Sequence, residues 1–258
     1  MKTIKILILF SAVFYQSCIT FKESTVTVAN NKSIEAGNCS ISSTGIVNMN
    51  MFGVIKADLM PNSIKIKYDS TIIYIDPINV NDPEKADYIF VTHKHLDHFS
   101  KKDIKELSKT KSIVIGPGTV TKKLKGYNVR TAFIGDTIDY DDIKYETVES
   151  YNTNSKIHKK GSNFVGYVIT CGTDRIYIAG DTDLIPEMKD LEDITVAIMP
   201  IGVGKTAMNP ESAAEAARII KPGIVIPVHY ELNRNSESEF LQYVDKDTET
   251  VFFITTED

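Results

Sequence analysis

The run Ile89-Phe90-Val91-Thr92-His93-Lys94-His95-Leu96-Asp97-His98 constrains this chain more than any other stretch, because an apolar strand-like run opens directly into a burst of metal-ligand side chains. Three of the chain's five histidines fall between positions 93 and 98. A solvated loop has no reason to concentrate imidazoles this way, whereas zinc and similar divalent ions take neutral imidazole and carboxylate as ligands. A metal site at the end of a strand is expected, and the fold must bring further ligands to that strand end.

Those partners are sought at the ends of other apolar runs. Ser63 to Tyr68 alternates as a half-buried strand does, Asp69-Ser70 is a turn, and Thr71 to Ile75 is the partner of a hairpin that stops at Asp76-Pro77. Tyr88 to Val91 is the strand that feeds the histidine loop. Ser100 then caps a helix over Lys101 to Ser108. Ser112 to Ile115 reads as a strand, residues 119–125 as a second helix, and Val129 to Val148 as short strands with turns. Phe164 to Thr170 and Arg175 to Ala179 form a hairpin whose second strand ends at Gly180-Asp181. Val196 to Met199 is a strand halted by Pro200. Asn209-Pro210-Glu211 opens a helix to about Ile220, and Ile224 to Val228 is a strand ending at His229.

Three buried-looking strands thus end in ligand-type residues: the His93 loop, Asp181 and His229. In a layered α/β fold, strand ends along one sheet edge converge on a common cleft. An isolated His229 or Asp181 would read as an ordinary partly buried histidine and a turn aspartate. The clustered loop is what lifts both.

With 258 residues and 42% apolar composition, the chain can bury a large core in one domain. A net charge of −5 argues against nucleic acid as a partner, since neutralising phosphates needs a basic face. Lys2 and Lys5 precede an apolar run, Ile6 to Tyr15, that stops at Gln16-Ser17-Cys18, in the form of a secretory signal. The run is shorter than the roughly 20 apolar residues a membrane-spanning helix needs. A small residue followed by cysteine resembles the bacterial lipobox, which makes Cys18 the expected lipid anchor of a periplasmic or cell-envelope protein. A plain signal peptide is the alternative. Residues 1–18 are then the signal, 19–45 a polar Ser/Thr/Asn-rich tether and 46–258 the folded domain, with Ile46 to Val54 weakly assigned as an edge strand or packing segment. Cys39 and Cys171 remain after export, and two cysteines without geometry leave their pairing open.

Thr92-His93-Lys94-His95-Leu96-Asp97-His98 resembles the His-x-His-x-Asp-His signature of the metallo-β-lactamase superfamily, and Gly180-Asp181-Thr182 and Pro227-Val228-His229-Tyr230 resemble its downstream metal motifs. The string from Arg175 to Thr182, Pro200-Ile201-Gly202 and Met208 are similar to the branch containing ascorbate-6-phosphate lactonase. The resemblance implies a four-layer αβ/βα sandwich with a site for one or two divalent transition metals, most often zinc, with manganese or iron as alternatives. On that pattern His93 and His95 bind one ion, Asp97, His98 and His229 the other, and Asp181 bridges both. Asp76 orients a ligand imidazole. Asp97 and Asp181 are the candidate catalytic residues around a metal-activated water.

The chain departs from the pattern at the third histidine of the first group, where Glu149-Ser150-Tyr151-Asn152 stands. His158 either reaches back as a substitute ligand or belongs to a basic surface loop. If it is not a ligand, Asn152 stands there as a weak neutral ligand, or that site is empty. Gly202-Val203-Gly204-Lys205-Thr206 looks like the end of a phosphate-binding loop, but Met199 stands where that motif needs glycine. Lys205 is then either a rim residue holding an anionic substrate group or a solvated lysine, and Tyr230 either an oxyanion donor or a packing residue. The function expected is hydrolysis of a lactone, ester or amide of a small molecule, neutral or anionic. A phosphodiesterase and a non-catalytic metal-binding or scaffold protein are the alternatives.

Overall fold

The computed structural model describes residues 26–28, 33–47, 60–81, 83–202, 206–231 and 235–253. Strands β1 (Val26–Val28), β2 (Ser33–Ala36), β3 (Cys39–Val47), β4 (Met60–Tyr68), β5 (Thr71–Ile75) and β6 (Ala86–Phe90) come first, followed by α1 (Lys101–Leu107). Next are β7 (Ser108–Gly116), α2 (Gly118–Thr121), β8 (Val129–Thr131), β9 (Thr137–Asp139), β10 (Lys144–Glu149), β11 (Val165–Cys171) and β12 (Asp174–Ile178). After a 3₁₀ turn at Pro186–Asp190 the chain ends with β13 (Val196–Pro200), α3 (Pro210–Ile220), β14 (Ile224–Val228), α4 (Ser236–Tyr243) and β15 (Glu249–Phe252).

Among the described residues these strands make a seven-stranded sheet, in the order β2-β3-β4-β5-β6-β7-β8, and an eight-stranded sheet, β1-β15-β14-β13-β12-β11-β10-β9. Period-2 alternation decides which layer each side chain joins. In β6, Tyr88 and Phe90 point into the core between the sheets, while Ile89 packs outward with Ile104, Leu107 and Val120 of α1 and α2. Ala213, Ala217 and Ile220 of α3 and Phe240 of α4 cover the other sheet. The layers are those of the expected αβ/βα sandwich.

Phe90 binds the two sheets together, its ring lying 5.2 Å from Tyr145 and 5.0 Å from Tyr167, edge to face with both. Burying a side chain of this size contributes about 1.5–3 kcal/mol. The Tyr167 hydroxyl crosses the same gap to donate to the Val91 carbonyl at 2.9 Å, immediately behind the histidine loop. Strands β5, β6 and β7 run parallel, as do β12, β13 and β14, so their C-terminal ends share one edge of the sandwich.

Helices α1 and α3 begin as their caps dictate, Ser100 Oγ accepting from Asp103 N at 3.2 Å and Asn209 Oδ1 from Ser212 N at 2.8 Å. The helix expected over residues 119–125 is only the short α2, because three of its four residues are the weak helix formers Thr119, Val120 and Thr121. Residues 33–45 differ more from expectation, forming β2 and most of β3 rather than a tether. Ile34, Ala36, Cys39 and Ile41 alternate into the core, and the serines between them face outward and mask the pattern. Of the segment Ile46 to Val54, residues 46–47 close β3 and the rest lies outside the described residues.

Candidate metal centre

All five histidines of the chain meet at the shared edge. The loop after β6 folds back on itself, with His98 N and Phe99 N both donating to the His95 carbonyl, at 3.1 and 2.9 Å, so that His93, His95, Asp97 and His98 face one region. Asp181 follows β12 through Gly180, whose φ of +63° only glycine adopts freely. A Cβ there would lie 3.2–3.3 Å from Ser150, Thr92 and Val165. His229 follows β14 and Asp76 follows β5, both with left-handed backbone, at φ 54° and 44°. Such conformations cost about 1–3 kcal/mol and persist where the surroundings impose them.

Two groups of ligand atoms result, each with all members within 4.8 Å of one another: His93, His95 and His158, and Asp97, His98, Asp181 and His229. Asp181 lies between them. Its Oδ2 is 3.7 Å from His93 Nε2 and 3.9 Å from His158 Nδ1, and its Oδ1 is 3.2 Å from His98 Nε2 and 3.3 Å from His229 Nε2. Asp97 Oδ2 stands 3.4 Å from His229 Nε2 and 3.6 Å from His98 Nε2.

Hydrogen bonds outside the groups fix the ring tautomers. His158 Nδ1 lies 3.1 Å from the Thr206 carbonyl, which can only accept, so the proton is on Nδ1 and the lone pair on Nε2, 2.9 Å from His95 Nδ1. His98 Nδ1 donates in the same way to Asp76 Oδ2 at 2.8 Å. The nitrogens left facing inward, Nε2 of His93, His98 and His229, are buried without a hydrogen-bond partner among the described residues, as is Asp181 Oδ1. Each such atom costs about 1–3 kcal/mol if nothing satisfies it. Converging imidazole lone pairs and carboxylate oxygens fit divalent transition metals.

Electrostatics separate the groups. Burial, aided by the neighbouring imidazoles, holds His93 well below its ordinary value. Burial also lowers His95 and His158. In the second group burial acts the same way on His98 but is overridden by Asp181, Asp97 and Asp76, which raise it well above the usual range, and His229 is raised by Asp181 and Asp97. The carboxyls of Asp97 and Asp181 are lowered by these same histidines against the opposing effect of burial.

The chain matches the family model described as the beta-lactamase superfamily domain over residues 59–229. A UPF0173 metal-dependent hydrolase of Bacillus thuringiensis subsp. konkukian is 30% identical over 203 residues, covering 71% of this chain and 88% of its own. The chain belongs to the metallo-β-lactamase superfamily, in its UPF0173 family of metal-dependent hydrolases. A crystal structure assigned to a metal-dependent hydrolase of Parabacteroides distasonis superposes with a TM-score of 0.71 at 29% identity, covering 85% of this chain and 96% of that one. Igni18, a metallo hydrolase of Ignicoccus hospitalis, shares the fold at a TM-score of 0.60 and 23% identity, over 73% of this chain and 90% of that one.

Within this UPF0173 chain the residues named from sequence meet different outcomes. His93, His95, Asp97, His98, His158, Asp181 and His229 come together, and Asp76 lies behind His98. Asn152 supports the corner it was a candidate to fill: its backbone N–H donates to the His158 carbonyl at 2.7 Å, and its side-chain amide donates to Asp183 Oδ1 at 3.1 Å. Tyr230 is corrected, because it is fully buried in the core with its ring on Phe252 and offers no surface to a substrate. Lys205 lies outside the described residues.

Sequence reasoning missed Phe164. Its ring lies 4.9, 5.3 and 5.1 Å from the rings of His93, His95 and His158, walling the first group on one side. No motif marks it, since it reads as the first residue of an apolar strand.

Proposed function

We propose that this metal-dependent hydrolase cleaves a lactone or another carboxylic ester or amide, as its resemblance to the ascorbate-6-phosphate lactonase branch implies. His93, His95 and His158 would hold one ion, Asp97, His98 and His229 a second, and Asp181 would give one oxygen to each. The observation that carries this reading is the split orientation of the Asp181 carboxylate, Oδ2 toward the first group and Oδ1 toward the second. Five imidazoles and two carboxylates suit zinc, with manganese and iron as alternatives. Ions bound there would polarise the scissile carbonyl and acidify water into a nucleophile near neutral pH.

The chain's own side chains supply the rest. Asp97 is the most exposed of the three carboxylates at the centre, 14% against 4% for Asp76 and Asp181, and is therefore the one placed to take up the proton that water releases. Asp76 and Thr92 hold His98 and His93 in place, and Phe164 keeps water from one side of three imidazoles. Leu96 and Ile157, each next in sequence to a ligand, are 63% and 59% exposed and offer apolar surface to the body of a substrate. Lys94, Lys156 and Lys159 are exposed beside them and suit an anionic group. The same lysines favour the second reading, a small phosphodiester.

A panel of lactones, esters, amides and phosphodiesters tests this with zinc-, manganese- and iron-loaded protein. Turnover of the carbonyl substrates, lost in Asp181→Ala, is the expected result. Turnover confined to phosphodiesters would replace the first reading with the second. The non-catalytic reading rested on the missing third histidine, and the presence of His158 beside His93 and His95 counts against it.

Export and a lipid anchor at Cys18 belong to the same proposal, supported by Lys2, Lys5 and the apolar run to Tyr15. Mass spectrometry of the mature N-terminus tests it, an unmodified start at Ile19 being the contrary result.

A further inference from the structure

At the edge opposite the metal centre, two hairpin turns interlock. One joins β2 to β3 through Gly37-Asn38, and the other joins β11 to β12 through Gly172-Thr173, so each comes from a different sheet. Asn38 donates its backbone N–H and its side-chain amide to Asp174 Oδ2, at 2.8 and 3.0 Å. A Cβ added to Gly37 would fall 2.1 Å from the Asp174 carboxylate, and one added to Gly172 would fall 3.0 Å from the Tyr68 hydroxyl, so the turns meet without room for side chains.

Beneath them lie Cys39, which pairs with Ala36 and Tyr68 in its own sheet, and Cys171, which pairs with Asp174 in the other. Both are free thiols, fully buried in the same core between the sheets, one on each sheet. Main-chain hydrogen bonds hold each sheet together internally, and at this edge every described hydrogen bond between the sheets has a side-chain atom at one end or both.

We infer that Cys39 and Cys171 are a cross-linking site, at which a disulfide joins the two sheets and stabilises the sandwich. The bond forms by exchange with a disulfide oxidant, either a protein of the thiol–disulfide oxidoreductase class or a small-molecule disulfide. One cysteine thiolate attacks a sulfur of the oxidant, giving a mixed disulfide and releasing one oxidant thiol. The second thiolate attacks the cysteine sulfur of that intermediate, closing the Cys39–Cys171 bond and releasing the second oxidant thiol. Two protein thiols lose two electrons and two protons, and the oxidant's disulfide takes up both to become two thiols. Cys39, to whose sulfur the Cys171 thiol donates, and burial together push that thiol far up. With both residues fully buried, exchange belongs to folding, before the turns close over the pair.

The test refolds the full reduced chain in a mixture of oxidised and reduced glutathione and maps its peptides without reduction. A linked pair of peptides carrying Cys39 and Cys171, two hydrogens lighter than their sum, is expected. The melting temperature should stand about 5–15 °C above that of the same sample after dithiothreitol. Cys39→Ala should leave Cys171 open to alkylation once the chain is denatured, and should remove the response to dithiothreitol. Free Cys39 and Cys171 in a chain with native circular dichroism would overturn the inference. So would a link from Cys18 to either of them, or a cross-link that leaves the melting temperature unchanged or lower.

Discussion

The Asp76 carboxylate lies 2.8 Å from His98 Nδ1 and also accepts from the backbone and the hydroxyl of Thr92, each at 2.7 Å. One buried aspartate therefore sets both the tautomer of a ligand imidazole and the position of the residue next to His93. Asp76→Asn keeps the shape and tolerates the left-handed backbone but removes the charge. We expect metal affinity of the second group to fall about 10–100-fold, measured by chelator competition. An unchanged affinity would reduce Asp76 to a packing role.

His158→Ala should lower zinc stoichiometry from two ions per chain to one, read by elemental analysis of the loaded protein. Asn152→Ala should retain two, because its backbone N–H keeps the bond to the His158 carbonyl. The reverse pattern would make Asn152 the ligand and His158 a bystander.

Phe164→Leu replaces a ring that touches three imidazoles with a smaller apolar side chain. Stability in urea should fall by less than about 1.5 kcal/mol. Affinity of the first group should fall by about tenfold with the second unaffected, since the apolar shell of a metal site tunes its ligands. Equal losses at both groups would point to general loosening instead.

Burial raises the Glu237 carboxyl, at the start of α4, from 4.5 to about 7, and among the described residues its Oε1 has no hydrogen-bond partner. In that window the folded chain binds a proton the unfolded chain has released, so stability falls as pH rises from 4.5 and levels off above about 7. Melting curves of the wild type and Glu237→Gln, recorded across this range, should differ in slope, the variant lacking this component. Parallel profiles would show that the carboxyl titrates alike in both states.

Removing metal should cost stability as well as activity. Free zinc at 1,000 times its dissociation constant stabilises a chain by about 4 kcal/mol per site. Exhaustive chelation should therefore lower the melting temperature by about 10 °C or more, and added zinc should restore it. A melting temperature indifferent to chelator would mean that the ligands do not hold an ion under those conditions.

The centre was legible in the sequence where the chemistry is dense. Four ligand residues within six positions cannot be mistaken for core, and Asp181 and His229 stand where apolar strands stop. His158 was ambiguous because it sits among lysines, and lysine reports solvent exposure while saying nothing of the histidine between. Only the fold shows the Asn152 backbone turning that loop inward. Tyr230 was ambiguous because adjacency to a ligand in sequence says nothing of direction, and the left-handed backbone at His229 turns the chain between the two residues. Strands β2 and β3 escaped notice because serine dominates their outward face, and α4 and β15 went unassigned although Phe240-Leu241 and the run Val251 to Ile254 are contiguous and apolar.

The ligands are also divided along the chain in time. His93, His95, Asp97 and His98 are synthesised first, His158 and Asp181 follow, and His229 arrives only with β14. A chain halted before that point carries most of the donors without the strand that closes them around an ion. An ion held by both groups would thus mark a chain made at least as far as His229.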